Sequence, residues 1–313
     1  MSQPTIHAAA TPNSLTPDEL RLRPTAEGRL AIDAQRAGWR YLSFSVLRVE
    51  PGASVPLGHE ADEVAIVTLS GGVTIDVGQQ RYELPGRTSV WDGKPWSLYL
   101  PPGGPATAHA AGRDAVLAVA SAPPSGRPGL RLRPIVITPD DVAIEVRGAG
   151  NATRQVNHII TPDFPADRLE LVEVYTPSGN WSSWPPHKHD VDDMPAEAVL
   201  EEIYYYQFRR PEAWGIQRLY RRDGTRDALW PVRDGELVLI PDGYHPFVAT
   251  HGDDAYYLNA LAGDRRTMAC SFDPDLASVR EAWVSMLPDP RLPLVGPRPT
   301  TITAMRTSKP GER

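Results

Sequence analysis

Pro185-Pro186-His187-Lys188-His189-Asp190 places two imidazoles one residue apart. Leu200-Glu201-Glu202-Ile203-Tyr204-Tyr205-Tyr206 follows, and then Leu239-Ile240-Pro241-Asp242-Gly243-Tyr244-His245-Pro246. Alternate residues of a strand point to one face, so His187 and His189 reach a common point from one strand. Glu202 and His245 reach that point from neighbouring strands. Three imidazoles and a carboxylate suit one divalent transition metal ion per chain. The donor types leave Zn, Mn, Fe, Co and Ni open.

The rest of the chain reads as β-structure around this group. Its 33 prolines and 25 glycines interrupt short apolar runs, the pattern of many strands and many turns. At 313 residues there is room for one large or two medium domains. No apolar run approaches the ~18 residues of a membrane helix. The N-terminus starts polar, without an apolar signal core, so a cytoplasmic protein with no membrane partner is expected. A single cysteine, Cys270, rules out an intrachain disulfide framework. A net charge of −7 with no basic block in the body argues against nucleic-acid partners. Binding a small anion needs only a local Arg or Lys.

The sequence repeats weakly. Val46-Leu47-Arg48-Val49-Glu50-Pro51-Gly52 corresponds to Leu171–Gly179, and Glu63-Val64-Ala65-Ile66-Val67 to Glu202–Tyr206. Leu100-Pro101-Pro102-Gly103 corresponds to Ile240-Pro241-Asp242-Gly243. Two β-sandwich or barrel units of the jelly-roll kind follow, one over 1–125 and one over 126–287, with a Pro-rich basic arm at 288–313. A helix is expected only around 276–287. About 12 extra residues precede Glu202 in the second half, assigned to the loop 191–200. Shifted back by one repeat, the histidine slots fall on Glu60 and Asp62, and that of His245 on Pro105. Only the glutamate, aligned with Glu63, survives. The first unit is therefore expected to bind no metal, although His59 and His109 lie near those slots.

Gly179, His187-x-His189, Glu202, Gly235, Pro241-x-Gly243-x-His245 together resemble the two cupin motifs. Longer runs resemble more closely the 5-deoxyglucuronate isomerase family of bacterial inositol catabolism. They are Asn180–Asp190, Leu200–Tyr206, Gln217–Tyr220, Val238–Pro246 and Tyr256–Gly263. Ala37-Gly38-Trp39, Val67–Gly71, Gly86–Gly93 and Tyr99–Gly103 in the first half are similar to runs of that family too. The resemblance covers roughly residues 20 to 275 and implies an all-β bicupin, two jelly-roll units in tandem, with one metal site in the second. His187, His189, Glu202 and His245 take its ligand positions, and Glu201 is the rival carboxylate.

The implied reaction is the aldose–ketose isomerisation of 5-deoxy-D-glucuronate to 2-deoxy-5-keto-D-gluconate. A proton must leave the carbon beside the aldehyde and return one carbon away, which calls for an acid–base group within hydrogen-bond reach. Tyr257, Lys188, Tyr244 and Glu201 are the candidates, with Tyr257 preferred because it shares a strand face with Asn259. A hydride shift would need none of them. Arg218, Asn259 and Tyr204 are the candidate substrate contacts, and Arg265 is a second choice for the carboxylate. The chain departs from the family at Ala262–Cys270 and Asp273-Pro274-Asp275-Leu276-Ala277. An expected Trp and an Asp-Pro-x-His-x-Trp motif are missing there. Other readings therefore stay open: a related isomerase of another uronate, an iron-dependent dioxygenase, or a cupin that only binds sugar. Association into a homo-oligomer is expected from the open sheet edges.

Overall fold

The computed structural model of the chain describes residues 15–58, 60–130 and 132–297. Runs of branched and aromatic residues form strands throughout, as their preference for a pleated, half-buried surface dictates. They curl into two units, which bears out the all-β bicupin expectation. No helix among the described residues is long and apolar enough to cross a membrane.

In the second unit, seven strands lie in the order Arg21–Leu22, Leu237–Ile240, Leu200–Phe208, Ala255–Gly263, Leu169–Thr176, Arg154–Ile160 and Ala143–Arg147. A four-stranded sheet, Trp181–Ser182, Phe247–Ala249, Trp214–Tyr220 and Asp227–Arg233, packs against it. The Phe247 ring meets Tyr206 and Tyr257 from the larger sheet at 5.0 and 5.8 Å. In the first unit the long strand Glu63–Val77 pairs first with Ser97–Leu100 and Ala115–Ala122, then with Gln80–Arg87 and Ala106–Ala110. It bends at Gly71, where φ is +72° and a Cβ would lie 2.4 Å from the Asp114 carbonyl. Only glycine fits that corner. Two edge strands are exchanged. Arg21–Leu22 pairs with Leu237–Val238 of the second unit, and Ile135–Ile137 with Ser97–Tyr99 of the first. We keep 1–125 and 126–287 as the proposed division of the sequence, with these two strands crossing it.

Why the central strands are apolar on both faces follows from where they lie. Val64 and Ile66 fill the interior of the first unit, with Val73, Ile75, Leu98 and Leu117. Ala65, Val67 and Leu69, one residue out of phase, join a core shared by the two units. Ile203 and Tyr205 enter that core from the other side, and Tyr205 meets Phe44 at 6.0 Å between ring centres. A buried ion pair between Arg87 and Glu173 crosses the same boundary, with Tyr256 donating to Glu173 at 2.9 Å.

Strand register corrects the repeat alignment. Glu63 pairs with Ala122 and Val64 with Leu100, whereas Glu201 pairs with Ala262 and Glu202 with Ile240. Glu63 is thus the counterpart of Glu201, and Val64 the counterpart of Glu202. The two counterparts do the same work reciprocally. Glu63, fully buried, accepts from the amides of Asp167, Arg168 and Leu169 at 2.8, 2.6 and 2.8 Å. Glu201 accepts from the amides of Arg40, Tyr41 and Leu42 at 2.7, 3.0 and 2.8 Å. Each unit therefore ties the segment leading into a strand of the other, Ser43–Val49 or Leu169–Thr176, through one carboxylate and three consecutive N–H groups, which otherwise would lack partners. An unforeseen helical turn, Ala34–Ala37, presents the Arg40–Leu42 amides. Asp33 caps it through the Arg36 amide at 2.7 Å, and Gly38 closes it at φ +72°.

The helix expected near the C-terminus shrinks to Val279–Ala282, followed by a 3-10 turn over Trp283–Ser285. Beyond it, Gln155 Oε1 accepts from the amides of Leu294 and Val295, so the described start of the arm lies against the second unit. Residues 298–313 lie outside the described residues.

Replacing Glu201 by Gln turns an NH2 donor toward three amide donors. Glu201→Gln is expected to lower unfolding free energy in urea by roughly 1–3 kcal/mol, while turnover per folded molecule stays within about twofold. A large loss of turnover with unchanged stability would return Glu201 to the acid–base candidates.

Candidate metal centre and cavity

Glu202 stands on Leu200–Phe208 with Tyr204 and Tyr206, on the face opposite Glu201. His187 and His189 come from the segment ending the Pro185-Pro186 turn, where His187–Lys188 pairs with Ser271–Phe272. His245 follows the Pro241–Tyr244 turn. Gly243 there has φ +79°, and a Cβ on it would lie 2.6 Å from the Tyr220 carbonyl. Asp190 Oδ2 accepts from the Gly243 amide at 2.7 Å, which joins the histidine segment to the His245 turn. Gln217 adds a bond to the His245 carbonyl at 2.8 Å.

His189, Glu202 and His245, all buried, bring their ligand atoms within 4.8 Å of one another. His189 Nδ1 donates to the Leu200 carbonyl at 3.0 Å, and His245 Nδ1 to the Gly243 carbonyl at 3.0 Å. In their neutral forms both rings carry the proton on Nδ1 and present the Nε2 lone pair inward. His189 Nε2 lies 2.9 Å from Glu202 Oε2. His245 Nε2 lies 3.3 Å from the same oxygen and has no hydrogen-bond partner. Three acceptors pointing at one buried spot call for a cation, and the donor set fits a divalent metal ion. Burial pushes His245 down to about 4. Burial also opposes charge on His189, but the adjacent Glu202 outweighs it and raises its pKa. The His187 ring stands beside this trio, 4.7 Å from the His245 ring centre, and burial with its neighbouring histidines holds it well below the usual imidazole range.

His189 and Glu202 of the trio face a cavity of about 300 Å3, with His187 on its wall as well. Its walls include Tyr204, Tyr257 and Asn259, apolar Val172, Val174 and Leu261, and the guanidiniums of Arg147 and Arg154. Ser182 Oγ and Tyr257 Oη lie 2.5 Å apart, and Ser183 Oγ and Tyr204 Oη 2.8 Å. Ser183 holds its hydroxyl there from a left-handed backbone, φ +51°. Burial raises the pKa of both tyrosines, so each keeps its proton at neutral pH. Burial likewise pushes the Cys270 thiol up to about 11, which leaves it a poor nucleophile.

Residues 20–279 match the model of the KduI/IolB family. The chain belongs to that family. It is 39% identical over 262 residues to the 5-deoxy-glucuronate isomerase of Geobacillus thermodenitrificans, covering 83% of this chain and 94% of that one. An IolB-like protein from Salmonella typhimurium has the same fold, with a TM-score of 0.78 and 35% identity over 83% of this chain and 98% of the other. Oxalate decarboxylase of Lactobacillus farciminis, at 12% identity, shares the fold alone, with a TM-score of 0.56 over 81% of this chain and 88% of that one.

Within this KduI/IolB member the expected site residues separate into two groups. His187, His189, Glu202, Tyr204, Tyr257 and Asn259 line the cavity, and His245 stands behind them, grouped with His189 and Glu202. Glu201, Lys188, Arg218 and Arg265 do not. Glu201 holds the other unit, as above. Lys188 is tied to Asp190 and Glu197 at 2.5 and 2.8 Å, and against the pull of burial these bonds keep it charged. Arg218 pairs with Asp227 at 2.9 Å on an exposed strand face, and Arg265 reaches Asp192 at 3.5 Å. In the first unit, Val64 and Ile66 fill the places of Glu202 and Tyr204. His109 sits on the surface with Ser54 and Asp76, and His59 lies outside the described residues. Sequence reasoning missed Arg147 and Arg154. Their signal was alternation across a hairpin: Glu145-x-Arg147 and Arg154-x-Val156-x-His158 face one side, with Arg147 directly opposite Arg154.

Two glycine substitutions separate local strain from site geometry. Gly179, at φ +77°, has open space where a Cβ would stand. Gly179→Ala should lose about 1 kcal/mol from strain alone. Gly243→Ala should lose roughly 2–4 kcal/mol, because the Tyr220 backbone must also move. Urea titration of both variants checks the order.

Proposed function

We propose that this KduI/IolB member isomerises 5-deoxy-D-glucuronate to 2-deoxy-5-keto-D-gluconate, using one divalent metal ion held by His189, Glu202 and His245, with His187 beside them as fourth ligand. The convergence of those buried donors on one spot beside the cavity carries the reading, and the likeness to named 5-deoxy-glucuronate isomerases supports it. A divalent ion bound there supplies Lewis-acid polarisation of the carbonyl and neighbouring hydroxyl oxygens. The chain does the rest. Backbone carbonyls of Leu200 and Gly243 fix the imidazole tautomers. Tyr257, braced by Ser182, holds a proton at Oη for the oxygen on which charge develops. Asn259 donates Nδ2 to the Ile203 carbonyl at 3.0 Å and turns its side-chain carbonyl to a sugar hydroxyl. Val172, Val174 and Leu261 keep water from the reacting carbons. A cytoplasmic setting, consistent with the lone Cys270 thiol, and association of copies through sheet edges complete the reading.

Product analysis by 13C NMR tests it. The full chain should convert the aldehyde acid to the keto acid, and in deuterated water a solvent-exchanging proton transfer leaves deuterium on the new CH2OH carbon. His245→Ala should abolish conversion with the fold intact. Turnover of a pectin-derived keto-uronate instead, or oxygen uptake without isomerisation, contradicts the reading. Metal binding has its own readout. Adding Zn2+ or Mn2+ to chelated protein at about 1,000 times Kd should stabilise it by roughly 4 kcal/mol. Glu202→Gln should remove most of that shift in thermal unfolding.

A further inference from the structure

Arg147 and Arg154 face each other across the Ala143–Arg147 and Arg154–Ile160 hairpin, and both line the cavity. Their surroundings differ. Arg147 is held by Glu145 through two bonds of 2.9 and 2.7 Å. The same carboxylate takes His158 Nε2 at 2.9 Å, so Glu145 is fully engaged. Arg154 is more than nine-tenths buried, and its Nη1 donates one hydrogen bond, to the Trp184 carbonyl at 3.3 Å. Among the described residues no carboxylate lies within ion-pair reach of it. A guanidinium has five N–H donors and is retained inside a protein when an anion meets them. Burial, then the charge of Arg147, pushes Arg154 down to about 10, which still leaves it charged at neutral pH. The lining carries one carboxylate, Glu202, and that group belongs to the metal trio.

We propose that Arg154 is the anion-binding residue of this cavity: it receives the carboxylate of the sugar acid and makes the enzyme prefer acidic over neutral aldoses. Arg147, neutralised by Glu145, walls the subsite without competing for that carboxylate. The inference deepens the isomerase reading and rests on it for the identity of the sugar. The anion site itself stands on the hairpin geometry. Planar guanidinium meets carboxylate through two parallel N–H donors, so lysine is an incomplete substitute. A buried cation without a partner also destabilises the ligand-free fold, and its removal should be tolerated or favourable.

The test uses the full, metal-loaded chain and the variants Arg154→Met and Arg154→Lys. Substrates are 5-deoxy-D-glucuronate and its neutral counterpart 5-deoxy-D-glucose, and D-gluconate is the non-isomerisable anion for calorimetry. Arg154→Met should raise KM for the acid roughly 10- to 100-fold, leave kcat/KM for the neutral sugar within about threefold, and unfold at an equal or higher temperature. Arg154→Lys should recover part of the acid preference. Equal losses on both sugars with a lowered unfolding temperature, or an unchanged KM for the acid, would overturn the proposal. If the wild-type chain turns over neither sugar, the isomerase reading fails, and gluconate binding decides the anion site alone. Binding lost in Arg154→Met supports it; binding that persists, or is absent from the wild type, overturns it.

Discussion

Glu202 is buried between two imidazoles whose Nδ1 hydrogens already belong to backbone carbonyls. That commitment leaves lone pairs facing a carboxylate oxygen in a dry interior, an arrangement stable only around a shared positive charge. The local architecture serves this constraint. A glycine-bearing turn brings in His245, Asp190 ties that turn to the histidine segment, and the Leu200–Phe208 strand delivers Glu202 with its tyrosines. The cavity beside the trio then carries protonated phenols and the Arg147 and Arg154 side chains on its walls.

The two units show how one scaffold can carry chemistry once and structure twice. Their carboxylate exchange is reciprocal, with Glu63 on the Asp167–Leu169 amides and Glu201 on the Arg40–Leu42 amides. The next residue along each strand points into its own unit, and there the two part. Val64 extends an apolar core, whereas Glu202 joins the buried His189–His245 cluster that could hold a metal ion. A single step of strand register separates the residue that holds the units together from the residue proposed to hold the ion.

Much of this was legible in the sequence. Alternation and Pro/Gly punctuation led to strands, the repeat led to two units, and His187-x-His189 with Glu202 and His245 led to one cluster. What stayed hidden were choices between neighbours. Glu63 matched Glu202 by motif because both precede branched or aromatic runs; only pairing with Ala122 against Ala262 assigns it to Glu201. Arg218 had the chemistry of a carboxylate receptor but lies on the outer sheet beside Asp227. Arg154 had no motif to announce it, because its role depends on which charges are missing around it. Lys188 was an acid–base candidate in sequence and is fixed by Glu197, a residue of the very loop that lengthens the second unit.

X-ray absorption at the metal edge of the purified, metal-loaded chain tests the central claim most directly. Two or three imidazole nitrogens at about 2.0–2.1 Å and a carboxylate oxygen at about 2.0–2.2 Å are predicted, with one imidazole lost in His245→Ala. An ion surrounded by water oxygens alone, unchanged by that substitution, would contradict the account.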